Sequence, residues 1–484
     1  MTVTHKIMKL DPDSAKSERV NIKTRVAYAL PAFALAVVGI PVYVYIPKFY
    51  TDVIGIQIGL LGTLILLVRI FDAITDPAIG FVSDRTRSRF GRRRPYMGVG
   101  SILLAIAILF LFNPLNGSPA FQTAWFGSWF FLLFLFWTVV AVPYESLGPE
   151  LTFDYNERTT LFGIRDGALI AGTLLAASSP ALVTAVFGLE ATPEGEREKF
   201  FWISILFAPM VIVFSWWCIL NIKERTSRFP TAAQNPLSSI RQLVSNRPFI
   251  ILLASYTLAA LGSNLPATLI LYYVEYVLQS SRADLFLLIY FATGILLLPG
   301  WVIIARRIGK KTTWITAMVI NTGSFIGVFF LGPGDEWQYG LLVALSGMGF
   351  GATVAIPSAM QADVIDYDEL QTGTRQEGHY IGVWSVSKKL AAALGVGIGL
   401  AVLGAVGYEP NTTQTDQVQF ALRVLYAGVP NICNLLALSI ALFYPISSQM
   451  HERILDAVKD RKKGIRVTDP LTGQLLKANN IDPQ

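Results

Sequence analysis

Twelve apolar runs dominate the 484-residue chain, at roughly 27–50, 55–81, 96–114, 122–147, 160–187, 200–221, 248–278, 283–305, 311–332, 337–362, 380–407 and 418–445, here numbered segments 1 to 12. Each is long enough to cross about 30 Å of hydrocarbon at 1.5 Å per residue, and in that medium a helix is the form that satisfies its own backbone hydrogen bonds. A composition of 53% hydrophobic and 15% charged residues excludes a disordered chain or a disulfide scaffold and argues against a water-soluble one. The expected fold class is an all-α membrane protein of twelve transmembrane helices.

The polar first 25 residues hold no short apolar core with a small-residue cleavage site, so no signal peptide is expected. Cys218 and Cys433 lie in apolar runs, and His5, His379 and His451 are too scattered for a zinc site. Basic residues collect in the even-numbered connections: Arg85 to Arg94 after segment 2, Arg158 and Arg165 around the 4–5 turn, Lys223 to Arg247 in the middle, and Arg306 to Lys311 after segment 8. Odd connections are acidic or neutral, as in Glu190 to Glu198. Because Lys and Arg in short loops stay on the cytoplasmic side, both termini are expected there. The net charge of +6 then serves topology and anionic lipid, and no nucleic-acid partner is expected.

The longest polar interruption, 222–247, divides the chain into a cytoplasmic N-terminal segment (1–26), a six-helix bundle (27–221), a linker (222–247), a second six-helix bundle (248–445) and a tail (446–484). The tail reads as a short surface helix followed by a flexible end. Basic loops recurring at Arg85 and Arg306 fit parallel repeats. Twelve spans, a central linker and a doubled basic loop point to a major-facilitator transporter.

Ionisable groups inside spans are costly, so they point to function. Segment 2 reads RIFDAITDPAIG, with Asp72 and Asp76 one turn apart on one face and Thr75 between them. Two like charges this close need a cation or a shared proton. They read either as a coupling-ion site or as a salt bridge to an arginine such as Arg69. Thr138 in segment 4 adds a hydroxyl if that helix packs on segment 2. Arg165 either faces a cavity or snorkels to the interface. Lys388 and Lys389 stand two turns into segment 11, about 100° apart, so that one can face the cavity while the other pairs. Trp137 and Trp384 are candidate cavity walls. Asp84, Arg92, Glu145, Asp363, Asp366 and Arg375, at the cytoplasmic ends, read as a salt-bridged gate.

The loop GFVSDRTRSRFGRRRP resembles the major-facilitator signature. With YTDVIGI, RIFDAITDP, VPYESL, DVIDYDEL and the lysine of segment 11, nearly the whole chain resembles the glycoside-pentoside-hexuronide cation symporter family, whose best-known member is the melibiose permease. The resemblance implies uptake of a sugar with Na⁺, H⁺ or Li⁺ by alternating access. It implies a cation site at Asp72, Asp76, Thr75 and Thr138, metal binding there being of Na⁺ only, and substrate contacts at Arg165 and Lys389. The family's sugar site is not matched: its helix 1 Lys-Asp pair reads Leu35 and Ala36, its helix 4 Asp and Trp read Ala141 and Glu145, and its helix 10 Trp reads Val354.

The function expected is therefore cation-coupled symport, with Na⁺, of a glycoside or charged sugar derivative, by a monomeric multi-pass protein of the inner membrane in contact with its lipid and without other cofactors. A lysolipid is the alternative substrate, since lysolipid transporters resemble the same motifs. A non-transporting receptor or scaffold is the reading from another class. Nucleophile elbows, phosphate loops and metal clusters are missing from the sequence, so an enzyme is not expected.

Overall fold

The computed structural model describes residues 20–86, 88–152, 155–190, 192–222, 224, 243–373 and 377–476. Twelve helices take up the apolar runs: α1 Ile22–Val53, α2 Ile58–Arg85, α3 Arg94–Phe112, α4 Pro119–Leu151, α5 Tyr155–Phe187, α6 Pro193–Asn221, α7 Arg247–Tyr276, α8 Ala283–Ile308, α9 Lys310–Val328, α10 Glu336–Thr372, α11 Glu377–Ala405 and α12 Asp416–Leu442. Eleven are long and apolar enough to cross a membrane among the described residues. The remaining one, α9, is 19 residues long and more polar, with Thr312, Thr313, Thr316 and Asn321. It still packs inside the bundle against α10 and α12.

The packing repeats with a shift of six helices. α1 lies on α5 and α6 as α7 lies on α11 and α12; α3 lies on α4 and α6 as α9 lies on α10 and α12; α2 meets α4 as α8 meets α10. Contacts between the two sets run along α2 with α11, α5 with α8, and the outer part of α1 with α7. The α2–α11 seam is close because it is made of small residues. A Cβ on Gly62 would stand 2.7 Å from Leu400 Cβ, and one on Gly404 would stand 2.7 Å from the Gly59 nitrogen. Leu66 fills the space that Gly397 leaves, 2.6 Å from where a Cβ would be. Such small-residue seams let helix backbones approach where lipid supplies no hydrophobic drive.

α1 is not a regular helix throughout. Pro41 and Pro47 remove two N–H donors, and π turns at Pro41–Tyr45 and Phe49–Val53 absorb the change. The extra residue per turn carries Tyr43, Lys48, Thr51 and Asp52 around toward the other half.

α10 runs ten residues beyond its apolar stretch, because DVIDYDEL finds partners in the tail. There a helix, α13 (Ser448–Lys462), is followed by a small antiparallel hairpin of β1 (Val467–Thr468) and β2 (Leu475–Leu476). The segment after this helix, expected from sequence to be flexible, forms this hairpin within the described residues. Asp469 is the reason: 1% exposed, it accepts hydrogen bonds from Tyr367, Gln371 and the Leu471 N–H, and Gly473 closes the turn at φ +73°. Lys462 pairs with Glu369 at 2.6 Å, and the Arg461 guanidinium donates to the Leu370 carbonyl.

The seam predicts a sharp positional effect. Gly62→Val overpacks α2 against α11 and should cost about 1–3 kcal/mol, read as a lower melting temperature in detergent. Gly323→Ala, where a Cβ meets nothing within 4 Å, should leave it unchanged or slightly higher.

Candidate functional site

The two span carboxylates lie at the joint between the halves. Asp72 is 2% exposed and Thr138 is 1% exposed. Thr138 Oγ1 on α4 stands 2.9 Å from Asp72 Oδ1 and 3.0 Å from Asp76 Oδ1, its single proton shared between them. From the other half, Lys389 Nζ on α11 reaches Asp72 Oδ2 at 3.1 Å and Asp76 Oδ2 at 2.5 Å. Arg69, one turn before Asp72, donates to Asp72 Oδ2 at 3.0 Å and to the Tyr43 hydroxyl at 2.9 Å. Its guanidinium lies over the rings of Tyr43 and Phe134, 5.0 and 4.7 Å from their centroids.

The cluster balances two carboxylates against one ammonium and one guanidinium. That balance explains how like charges stand one turn apart in low dielectric. It also makes the site sensitive to charge, because the oxygens that hold Lys389 are the ones a cation would need.

Of the residues read from sequence, the fold unites Asp72, Asp76, Thr138 and Lys389. Lys389, expected at the substrate beside Arg165, is instead on the carboxylates, since the α2–α11 seam brings its stem alongside them. Thr75 turns its hydroxyl to the Asp72 carbonyl at 3.1 Å, the usual bond of a mid-helix threonine to its own preceding turn. Arg165 is bound to Asp166 at 2.6 Å and lies over Phe162, 4.7 Å from its centroid. Trp384 is buried, stacked on Tyr256 of α7 with centroids 4.1 Å apart. Trp137 is half-buried, stacked beside Phe134 and in contact distance of Gly39.

The residues read as a gate divide. Asp363 pairs with Lys310 at 2.5 Å, and Asp366 with His451 at 2.9 Å; these pairs join α10 to α9 and α13 within one half. The Arg92 N–H donates to Glu224 at 2.6 Å, part of a clasp in which Glu224 also takes the N–H groups of Arg93 and Arg94. Glu145 is exposed toward the interior of the protein. Arg375 and the side chain of Asp84 lie outside the described residues.

A second polar centre, at the face opposite the termini, was missed by the sequence reading. Asp52 on α1 accepts from Tyr408 at 2.8 Å, Tyr276 at 3.0 Å and Thr51 at 2.7 Å, and its carbonyl takes the Asn411 amide at 2.6 Å. Lys48 pairs with Asp52 and, at 2.7 Å, with Glu275 of α7, while lying over the Tyr272 and Tyr276 rings. Nearby, Tyr45 donates to Asp284 of α8 at 2.9 Å. All of these except the Thr51 and Lys48 bonds to Asp52 cross between halves. The sequence did carry a signal, since Lys48 and Asp52 stand i, i+4 at the end of an apolar run.

By contrast, the ion pairs described at the terminus-bearing face, such as Arg25 with Glu157 at 2.7 Å, stay within a half. At the Asp52 face the halves are therefore joined by polar bonds, with the carboxylate cluster beneath them.

Loosening the fastening should open that face. In a chain with Cys218 and Cys433, both buried free thiols, replaced by Ala and one cysteine placed at Ile40, which lines an interior cavity beneath Tyr43, Asp52→Asn should speed labelling by an impermeant maleimide added to the Asp52 face severalfold. An unchanged rate would show that Asp52 does not hold the face shut.

Three comparisons place this geometry among known proteins. A family model described as MFS/sugar transport protein matches residues 27–448. The glucuronide carrier protein homolog of Escherichia coli (strain K12) is 28% identical over 463 residues, spanning 92% of this chain and 97% of that protein. The isoprimeverose transporter of Lactiplantibacillus pentosus is 28% identical over 431 residues, 87% of this chain and 88% of that protein. In fold, the chain is similar to the crystal structure of the nucleoside transporter NupG, with a TM-score of 0.60 at 13% identity over 88% of this chain and 100% of that one.

Proposed function

The chain belongs to the MFS/sugar transport protein family, a multi-pass membrane transport protein rather than an enzyme, and from that premise we propose that it couples the passage of a glycoside or charged sugar derivative to Na⁺ by alternating access. The relatives named for a glucuronide and for isoprimeverose support a glycosidic substrate. The observation that carries the cation reading is the cluster of Asp72, Asp76 and Thr138 held by Lys389 from the opposite half.

The chemistry follows from charge. A hard cation takes oxygen ligands, and the two carboxylates and the Thr138 hydroxyl offer five side-chain oxygens within one helical turn and its neighbour. With Lys389 in place the cluster is neutral, so entering Na⁺ displaces the ammonium from at least one carboxylate. The displaced lysine no longer ties α11 to α2. Binding is thereby linked to the joint on which the halves rock, and the Asp52 network is the fastening that must break for the opposite face to open.

Purified protein in a thermal-shift assay should be stabilised by NaCl relative to choline chloride. Asp72→Asn and Asp76→Asn should each abolish the stabilisation. Lys389→Ala, which frees the carboxylates from competition, should bind Na⁺ more tightly, by about tenfold for one lost like charge at this range, while losing substrate accumulation. A wild type indifferent to Na⁺ sinks the sodium reading and leaves the pair as a proton site or a structural bridge.

A further inference from the structure

The two lysines of α11 have opposite fates. Lys389 is spent on Asp72 and Asp76. Lys388, one residue earlier and about 100° around the helix, carries neither an ion pair nor a hydrogen bond among the described residues. It stands one turn after Trp384, which is buried against Tyr256 of α7, so it shares an inward face of α11, and Glu145 of α4 and Arg69 of α2 lie in its electrostatic range. Glu145 is in the same condition: exposed toward the interior, in electrostatic range of Arg165 and Lys388, and without a hydrogen-bonded partner among the described residues. An ammonium and a carboxylate, one from each half, exposed to the interior and in electrostatic range of each other yet joined by no direct bond among the described residues, leave both groups open to a ligand.

We propose that Lys388 is the anion-recognising residue of the substrate site. Resting on the symport reading above, this narrows the substrate to a sugar derivative bearing one carboxylate or sulfonate. The Lys388 ammonium takes that group by a charge-assisted hydrogen bond, and Glu145, which can only accept while ionised, takes sugar hydroxyl protons from the other half. Arg165, already neutralised by Asp166, orients rather than charges the site.

The inner charges support the same conclusion. Among the described residues, the charges gathered around this site are four of each sign: Asp72, Asp76, Glu145 and Asp166 against Arg69, Arg165, Lys388 and Lys389. One Na⁺ alone, or one monoanion alone, leaves an uncompensated charge in low dielectric; the two together leave none. Obligate pairing of the two ligands then needs no further device, and the translocation step moves no net charge.

The test uses full-length protein and three probes: methyl β-D-glucuronide, the corresponding 6-sulfonate of methyl glucoside, and neutral methyl β-D-glucoside, each titrated with and without Na⁺ in a thermal-shift or calorimetric assay. The expected result is that wild type binds one or both anionic probes in preference to the neutral one, and more tightly with Na⁺. The two anionic arms tell carboxylate from sulfonate. Lys388→Ala should lose about tenfold or more in affinity for the anionic probe, the usual scale for a hydrogen bond to a charged group, whereas Lys388→Arg retains most of it. Na⁺ binding by Lys388→Ala should persist, because the carboxylate cluster is intact; this also shows that the variant is folded. Uptake into proteoliposomes should ignore a valinomycin-imposed potential.

The proposal is overturned if Lys388→Ala binds the anionic probe as wild type does, if wild type binds the neutral glycoside as well as the anions, or if neither anionic probe binds. Loss of Na⁺ binding in wild type would instead strike the symport reading, so the two failures are distinguishable.

Discussion

The single ammonium of Lys389 set between Asp72 and Asp76 is the interaction on which the rest of the arrangement turns. It resolves a repulsion that would otherwise destabilise α2. It does so with a charge from the opposite half, so the electrostatic balance of one helix depends on the docking of another. The small residues of the α2–α11 seam are the geometric condition for this. Without backbones close enough for Gly59 and Gly404 to touch, the lysine stem would not reach both carboxylates.

At the Asp52 face, tyrosine hydroxyls from α7 and from the loop after α11 converge on one buried carboxylate, and Lys48 links α1 to Glu275. These are many individually modest bonds in a low-dielectric setting, where they reinforce one another yet all depend on the same two side chains. At the terminus-bearing face, ion pairs among the described residues brace each half internally. Among them is the tail, whose α13 and hairpin lock onto the end of α10 through Asp469, His451 and Lys462. A half stiffened in this way moves as a unit, which suits a mechanism in which charge displacement at the centre must be transmitted over the length of a helix.

Much of the architecture was legible from the chain alone. Twelve apolar runs lead to twelve helices, and the family match agrees with a multi-span transport protein; most of the polar stretch read as a linker, 222–247, lies outside the described residues. RIFDAITDP likewise exposes the carboxylate pair, because i, i+4 spacing fixes the face they share whatever surrounds them. The ends were less legible. The run after segment 10 looked like a terminus because its residues turn polar, but polarity there marks a partner: Asp363, Asp366 and Glu369 continue a helix whose side chains meet the tail and α9. Hydropathy detects lipid and does not detect a protein surface that satisfies charge. Asp52 was overlooked for a similar reason. The donors that reach it from the other half, Tyr276, Tyr408 and Asn411, come from positions more than two hundred residues away, and the local Lys48 and Asp52 spacing does not announce them.

What the sequence by itself determined is what depends on local periodicity and solvent: the helical class, the crossings, and the costly charges at Asp72, Asp76, Arg165, Lys388 and Lys389. What only the tertiary structure decided is which charge answers which. Two adjacent lysines are equivalent on paper; the packing of α11 against α2 points Lys389 at the carboxylates and leaves Lys388 without a direct partner among the described residues. The reason is physical. Pairing energies fall steeply with distance and with exposure to water, so the role of each charge is set by a few ångströms of approach between helices, a quantity that no spacing along one helix contains.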